Sequence, residues 1–274
     1  MKHQTTMGMN RTGVASSPRH AKALYDASKR IKKPSLDGHG IMQVRQAYVN
    51  GGELGSVPPP ATLKGLGKTF IELLKGERAP VLIDRLCERL SSERSAVRLY
   101  DGMLAKYDVM GSWPGGPTRE EIEHLRSEEL EHFRQLHREL ESMGTDPTAL
   151  TPAADVTSVA LMGLPQVISD PRTNLHQCFE AMLIAEQADY GFWEVLANLA
   201  VEMRHDEMAG RFHRILAREA RHLSLTKSWL VLGVSASAGV RAFGQELSVR
   251  PSTDGKRRRT TRKSTKRRSR PRAR

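Results

Sequence analysis

Four helical stretches of this chain each set a carboxylate in the middle of an apolar stripe, and little else in the sequence constrains the fold as strongly. The stretches are 82–107, 122–143, 175–203 and 208–229. In the first, Leu82, Leu86, Leu90, Val97, Tyr100, Leu104 and Tyr107 recur at three-and-four spacing around Glu93. In the second, Ile122, Leu125, Leu136, Leu140 and Met143 share a face with Glu129 and His132. Leu175, Phe179, Met182, Trp193, Leu196 and Ala200 surround Glu186 in the third, and Met208, Phe212, Ile215, Thr226 and Trp229 surround Glu219 and His222 in the fourth. Residues at this spacing lie on one side of a helix and turn toward the core. An ionised carboxylate does not sit there without partners. Four such groups with two imidazoles, at matched depth, predict a shared cation site.

The pattern Glu-x-x-His occurs four times, as Glu121/His124, Glu129/His132, Glu202/His205 and Glu219/His222. Glu121 opens its helix, with His124 off the apolar stripe, and Glu202/His205 abuts a turn; both pairs read as solvated helix-end charges. The other two pairs fall in mid-helix on the inward face, where positions i and i+3 are neighbours. Glu93 and Glu129 are 36 residues apart and Glu186 and Glu219 are 33 apart, so the chain reads as two hairpins of one design. One Glu from each of two helices and Glu-x-x-His from each of the other two is the ligand set of di-iron and di-manganese carboxylate bundles. Carboxylate and imidazole donors without thiolate suit iron, with manganese as the alternative.

The expected fold is all-α: a four-helix bundle over 80–232, built as two hairpins joined by a long crossover at 145–173. Thr118 and Glu121 form a capping-box pattern for the second helix, and Gly144 suits its C-terminal turn. The crossover holds four prolines and a candidate short helix over 156–168. The third helix is expected to start near Asp170-Pro171. Residues 1–60 lack sustained periodicity and, with 20–31 and 42–49 as candidate short helices, read as a disordered or extended arm ending in Pro58-Pro59-Pro60; 61–79 reads as a short amphipathic helix. The triplet Gly67-Lys68-Thr69 invites a phosphate-loop reading, but Thr62 stands where that motif needs glycine, and prolines stand where it needs a strand. Residues 233–255 read as a linker.

The net charge of +12 is concentrated in one place. Residues 256–274 carry Lys256, Arg257, Arg258, Arg259, Arg262, Lys263, Lys266, Arg267, Arg268, Arg270, Arg272 and Arg274, and no acid. Removing those 12 from the 43 Lys and Arg of the chain leaves 31 basic residues against 31 acidic ones. The tail therefore reads as a disordered basic segment suited to phosphate contact without base readout, with DNA as the candidate partner and a merely solubilising role as the alternative. Two cysteines exclude a disulfide framework and a four-thiolate metal site. No apolar run reaches the length of a membrane span or a signal peptide, so a cytoplasmic protein without a membrane partner is expected, with nucleoid association as the further option.

Glu93, Glu129-Leu-Glu-His132, Glu186 and Glu219-Ala-Arg-His222 resemble the ferritin-like superfamily, on its rubrerythrin and manganese-catalase side. Arg85-Leu-Cys-Glu-Arg-Leu through Tyr100, with the Thr145-Asp-Pro-Thr-Ala loop, resemble a bacterial family known as "ferritin-like domain-containing protein". The resemblance covers about residues 55–232 and implies a bundle with a dinuclear site. Asp189 stands where rubrerythrins carry an extra carboxylate ligand, and the rubredoxin module is missing.

Two functional readings follow. In the first, two iron (or manganese) ions held by Glu93, Glu129, His132, Glu186, Glu219 and His222 act on O2, peroxide or Fe(II), with peroxidase, ferroxidase and catalase chemistries open. Glu129 and Glu219 would bridge. Tyr100, Tyr190 and Trp193 fall near the same level, as core aromatics or as electron-relay neighbours. In the second, the bundle is a structural or sequestering module of a nucleic-acid-associated protein. Cys87 and Cys178, on helices expected to run antiparallel, are expected to be free, packed thiols. Homo-oligomerisation stays open.

Overall fold

The computed structural model describes residues 18–30, 38–49, 55–59 and 79–239. The amphipathic segment 61–79, apart from Ala79, and the basic tail 256–274 lie outside the described residues. The regular elements described are all α-helices: α1 Pro18–Ser28, α2 Gly38–Val49, α3 Ala79–Met110, α4 Arg119–Ser142, α5 Pro152–Ala160, α6 Gly163–Ser169, α7 Leu175–Glu202 and α8 Asp206–Ser237. Among the described residues no helix is long and apolar enough to cross a membrane.

The four long helices run antiparallel to their neighbours, as their cross-contacts show. Asp108 meets Arg119, Asp101 meets Arg126 and Glu93 meets His132, so rising numbers on α3 face falling numbers on α4. The same reversal relates α7 to α8 through Phe179–Trp229 and Trp193–Phe212. It relates α3 to α7 through Trp193–Glu93 and Tyr100–Glu186, and α4 to α8 through Glu129–His222 and Glu139–Arg211. Two apolar cores result. One gathers Leu82, Leu86, Leu90, Leu136, Leu140, Trp193, Leu196 and Phe212; the other gathers Leu99, Tyr100, Met103, Ile122, Leu125, Phe179, Met182 and Trp229. The layer between them is polar. Cys87 belongs to the first core and Cys178 to the second; both are buried and free.

Helix ends follow local chemistry. Thr118 and Glu121 form a reciprocal capping box on α4, and Gly144 takes φ +74° beyond its C-terminus, a conformation that costs glycine nothing. A second capping box, Asn174 with Gln177, opens α7. The helix starts there rather than at 170–171 because the backbone oxygens of Asp170 and Thr173 are held in a turn by Lys106.

Other expectations need correction. The arm is not simply extended, since α1 and α2 are helices that pack against each other, with Ala27 buried. Helices this short are marginal in isolation, so mutual packing rather than intrinsic pattern holds them. Val57, part of the same arm, is fully buried in the first core. The crossover carries two helices, not one over 156–168: Pro165 lacks an N–H and fits the first turn of a new helix, not the middle of a longer one. Helix α8 runs to Ser237, five residues into the expected linker. Gly233 permits this, because a Cβ there would sit 2.7 Å from His176 and 2.9 Å from Trp113.

Candidate metal centre

The polar layer brings together all six side chains singled out by their stripe positions. Glu93, Glu129, His132, Glu219 and His222 are 0% exposed and Glu186 is 2% exposed. They form two overlapping sets whose ligand-capable atoms lie within 4.8 Å of one another: Glu93, Glu129, His132 and Glu219, and Glu129, Glu186, Glu219 and His222. Glu129 and Glu219 belong to both. Each histidine reaches across to the carboxylate of the other Glu-x-x-His helix. His132 Nδ1 lies 2.7 Å from Glu219 Oε1, and His222 Nδ1 lies 2.9 Å from Glu129 Oε1. The rings stack with centroids 5.9 Å apart and planes 22° from parallel.

Tyr100 and Trp193 clamp the two outer carboxylates by exchange. Tyr100, two turns after Glu93, donates its hydroxyl to Oε1 of Glu186. Trp193, two turns after Glu186, donates Nε1–H to Oε1 of Glu93 at 2.6 Å. In each glutamate the other oxygen, Oε2, makes no hydrogen bond. Glu129 Oε2 and both oxygens of Glu219 are likewise free of hydrogen bonds. Buried carboxylate oxygens normally find donors; Glu219 Oε1 faces His132 Nδ1, and the other four of these oxygens make no hydrogen bond, so the layer could hold a cation. Four carboxylates carry a formal charge of −4, which two divalent ions would neutralise.

In the metal-free molecule protons do part of that work. Burial pushes the Glu129 carboxyl well above the ordinary range, reinforced by Glu219 and Glu93; burial pushes Glu186 the same way, with Glu129 adding to it. Burial alone would discharge both histidines, but His132 is held protonated by Glu129, Glu219 and Glu93, and His222 is raised by Glu128, Glu219 and Glu186. Burial acts upward on Glu93 too, yet His132 and Arg89 outweigh it and bring its carboxyl to about 2.

Asp189 is in neither set. Its Oδ1 accepts from the fully buried guanidinium of Arg89, which also donates to Glu93 Oε1 at 3.3 Å. Asp189 therefore stands as the counter-charge of a side chain that supports Glu93, and not in the position of an extra ligand. Tyr190 is half-buried, and no described hydrogen bond joins it to the cluster. Two contributors were not singled out from the sequence. Arg89 lies one turn before Glu93 on the same face, a spacing that could have flagged it. Glu128 accepts from His222 Nε2 at 3.0 Å and is gripped by Arg221; burial raises its carboxyl, but His222 and Arg221 outweigh that and bring it to about 2. A carboxylate behind an inward-facing imidazole fixes its tautomer and orientation. The ring of His132 has Trp193 edge-on instead, at 6.0 Å. His124 and His205 lie outside both ligand sets.

Comparison with known proteins gives no match to the chain, whether among family models, curated proteins or solved structures.

Proposed function

We propose that the chain is a ferritin-like four-helix bundle holding a dinuclear non-haem metal centre, iron by preference and manganese as the alternative, that works as an oxidoreductase on peroxide or O2. The observation that carries this reading is the sharing of Glu129 and Glu219 by two otherwise separate ligand sets. Side chains common to both sets are what a pair of ions needs, whereas a single ion would leave one set without a purpose. Glu93 with His132, and Glu186 with His222, would complete one set each. Carboxylate and imidazole donors favour iron or manganese over thiophilic metals. When bound, such a pair supplies two electrons at one place, so that peroxide is reduced without release of one-electron radicals.

The chain's own part is positional. Tyr100 and Trp193 hold Glu186 and Glu93 in fixed rotamers, and Glu128 orients His222. The two apolar cores limit water above and below the layer. At equal iron content, wild-type protein is expected to consume peroxide at least tenfold faster than the Glu93→Ala, His132→Ala variant, given what outer-ligand changes cost. Equal rates in an oxygen-electrode or peroxide assay would remove the enzymatic reading and leave sequestration of Fe(II).

A second reading concerns the tail, which bears 12 positive charges in 19 residues. Here the bundle is a protective or sequestering module brought to DNA. Residues 1–255 carry no formal net charge, so deletion of 256–274 is expected to remove most nonspecific DNA binding and leave thermal stability unchanged. If half the charges contact phosphate, log K falls against log salt with a slope of about −5. Full binding by the truncated chain, or a flat salt dependence, would rule this out.

A further inference from the structure

Between α3, the α5–α6 crossover and α7 lies a cleft of about 110 Å³, room for a few water-sized molecules. Its lining is mainly apolar, with Leu99, Leu161 and Leu164 among it, and carries hydroxyls from Ser92 and Ser95 on one wall and Thr157 and Ser158 on the other, together with the buried carboxylate of Asp189. No Lys, Arg or His is in its lining. The inner wall is thin. Ser92 and Ala96 flank Glu93 on α3, and Ala185 and Asp189 flank Glu186 on α7. The side chains next to the two glutamates on this wall, Ser92, Ala96 and Ala185, are small. Asp189 links the cleft to that layer through Arg89, whose guanidinium also reaches Glu93.

We infer that this cleft is the entrance by which a small uncharged molecule of the hydrogen peroxide class reaches the six-ligand cluster. The inference rests on the dinuclear reading above and adds a route and a selectivity to it. Hydroxyl groups can donate to and accept from a molecule that does both itself. The one charged group in the lining, Asp189, is already paired with Arg89, so an anion entering the cleft finds no counter-charge and loses hydration without compensation, which disfavours it against a neutral molecule. The cleft thus admits peroxide and turns away anions of similar size.

Labelling tests the route without relying on turnover. In the metal-loaded full-length chain, an Ala96→Cys thiol should react with neutral methyl methanethiosulfonate about tenfold faster than with its anionic sulfonatoethyl analogue, after correction for their rates on a free thiol. Thr157→Cys, on the opposite wall, should behave the same way and covers the case in which the first variant misfolds. Cys87 and Cys178 are buried and provide the slow background. Adding Ser95→Trp at the exposed mouth should slow the neutral reagent about tenfold, whereas Ser127→Trp on the exposed face of α4 should not. With metal content matched, Ser95→Trp should also lower kcat/KM for peroxide about tenfold. Labelling as slow as that of Cys87, equal labelling by the anion, or an unchanged rate in Ser95→Trp would overturn the entrance. A chain that takes up no metal at all would instead overturn the dinuclear reading, and with it the purpose of the cleft.

Discussion

Replacing Glu129 and Glu219 together by alanine is expected to abolish metal binding in a chain that still folds. Each carboxylate belongs to both ligand sets, so the double change leaves Glu93 with His132 and Glu186 with His222 as two-residue remnants. Even outer-shell partners are worth 10–100-fold in affinity, so losing two direct ligands costs about 10³-fold or more. Folding should survive, because the change deletes two buried carboxyls from a crowded acidic layer, in which burial already pushes Glu129 well above the ordinary carboxylate range. Glu129→Gln with Glu219→Gln keeps the shape of the layer and should lose metal as well, which separates lost ligation from lost packing. Desalted protein assayed by elemental mass spectrometry, with circular dichroism as the folding control, reads both. Wild-type metal content in either variant would show that the shared carboxylates do not bind the ions.

Metal should also remove the dependence of stability on pH. In the metal-free chain Glu129 and Glu186 have raised carboxyls, so the folded state keeps protons that the unfolded state has lost above about 4.3. His132 and His222 are raised as well, and their added stability is complete below about 6.5 and lost as pH climbs through the folded values. Both effects have one sign, because the folded state binds more protons than the unfolded state across the neutral range. Stability then falls with rising pH, by about 1.4 kcal/mol per unit for each excess proton. Glu93 and Glu128, both lowered to about 2, contribute stability that is fully present above their unfolded values and lost only in acid, so they do not offset the slope at neutral pH. Bound ions displace the protons, so the metal-loaded chain should lose this slope and gain about 4 kcal/mol at a thousandfold excess over Kd. Melting curves from pH 6 to 9, with and without Fe(II) or Mn(II) under anaerobic conditions, provide the comparison. A metal-free Tm that rises with pH would mean that the cluster is not stressed by its own charge.

The six cluster residues were legible because a carboxylate on a three-and-four apolar stripe contradicts the stripe around it. All the stripe members of α4, α7 and α8 are buried. The axial register of the two hairpins also followed from loop positions, since α-helices rise by a fixed amount per residue. Arg89 has a spacing from Glu93 that could have flagged it, but its counter-charge on α7, Asp189, could not be read from α3. Helix α3 is also covered on a second face by the crossover, which meets the buried Asp84 and Glu88. Asp84 there accepts from the N–H of Ala153 at the start of α5, and Glu88 from Thr157. Nothing in the α3 sequence alone says that a distant proline-rich segment will close over those polar residues. Glu128 escaped in another way: it is off the stripe, and only the ring orientation of His222 brings it into the site. The arm shows the limit from the other side, because pattern alone does not decide between a short helix and an extended segment at the length of α1 and α2, and Val57 has no local pattern announcing that it is buried.

The most direct measurement is metal stoichiometry. Full-length protein loaded anaerobically with Fe(II), and in parallel with Mn(II), then desalted and analysed for metal and protein together, should hold close to two ions per chain. The double Glu129, Glu219 variants should hold close to none. A wild-type value near zero, or one that stays the same when those two carboxylates are removed, would contradict the dinuclear centre.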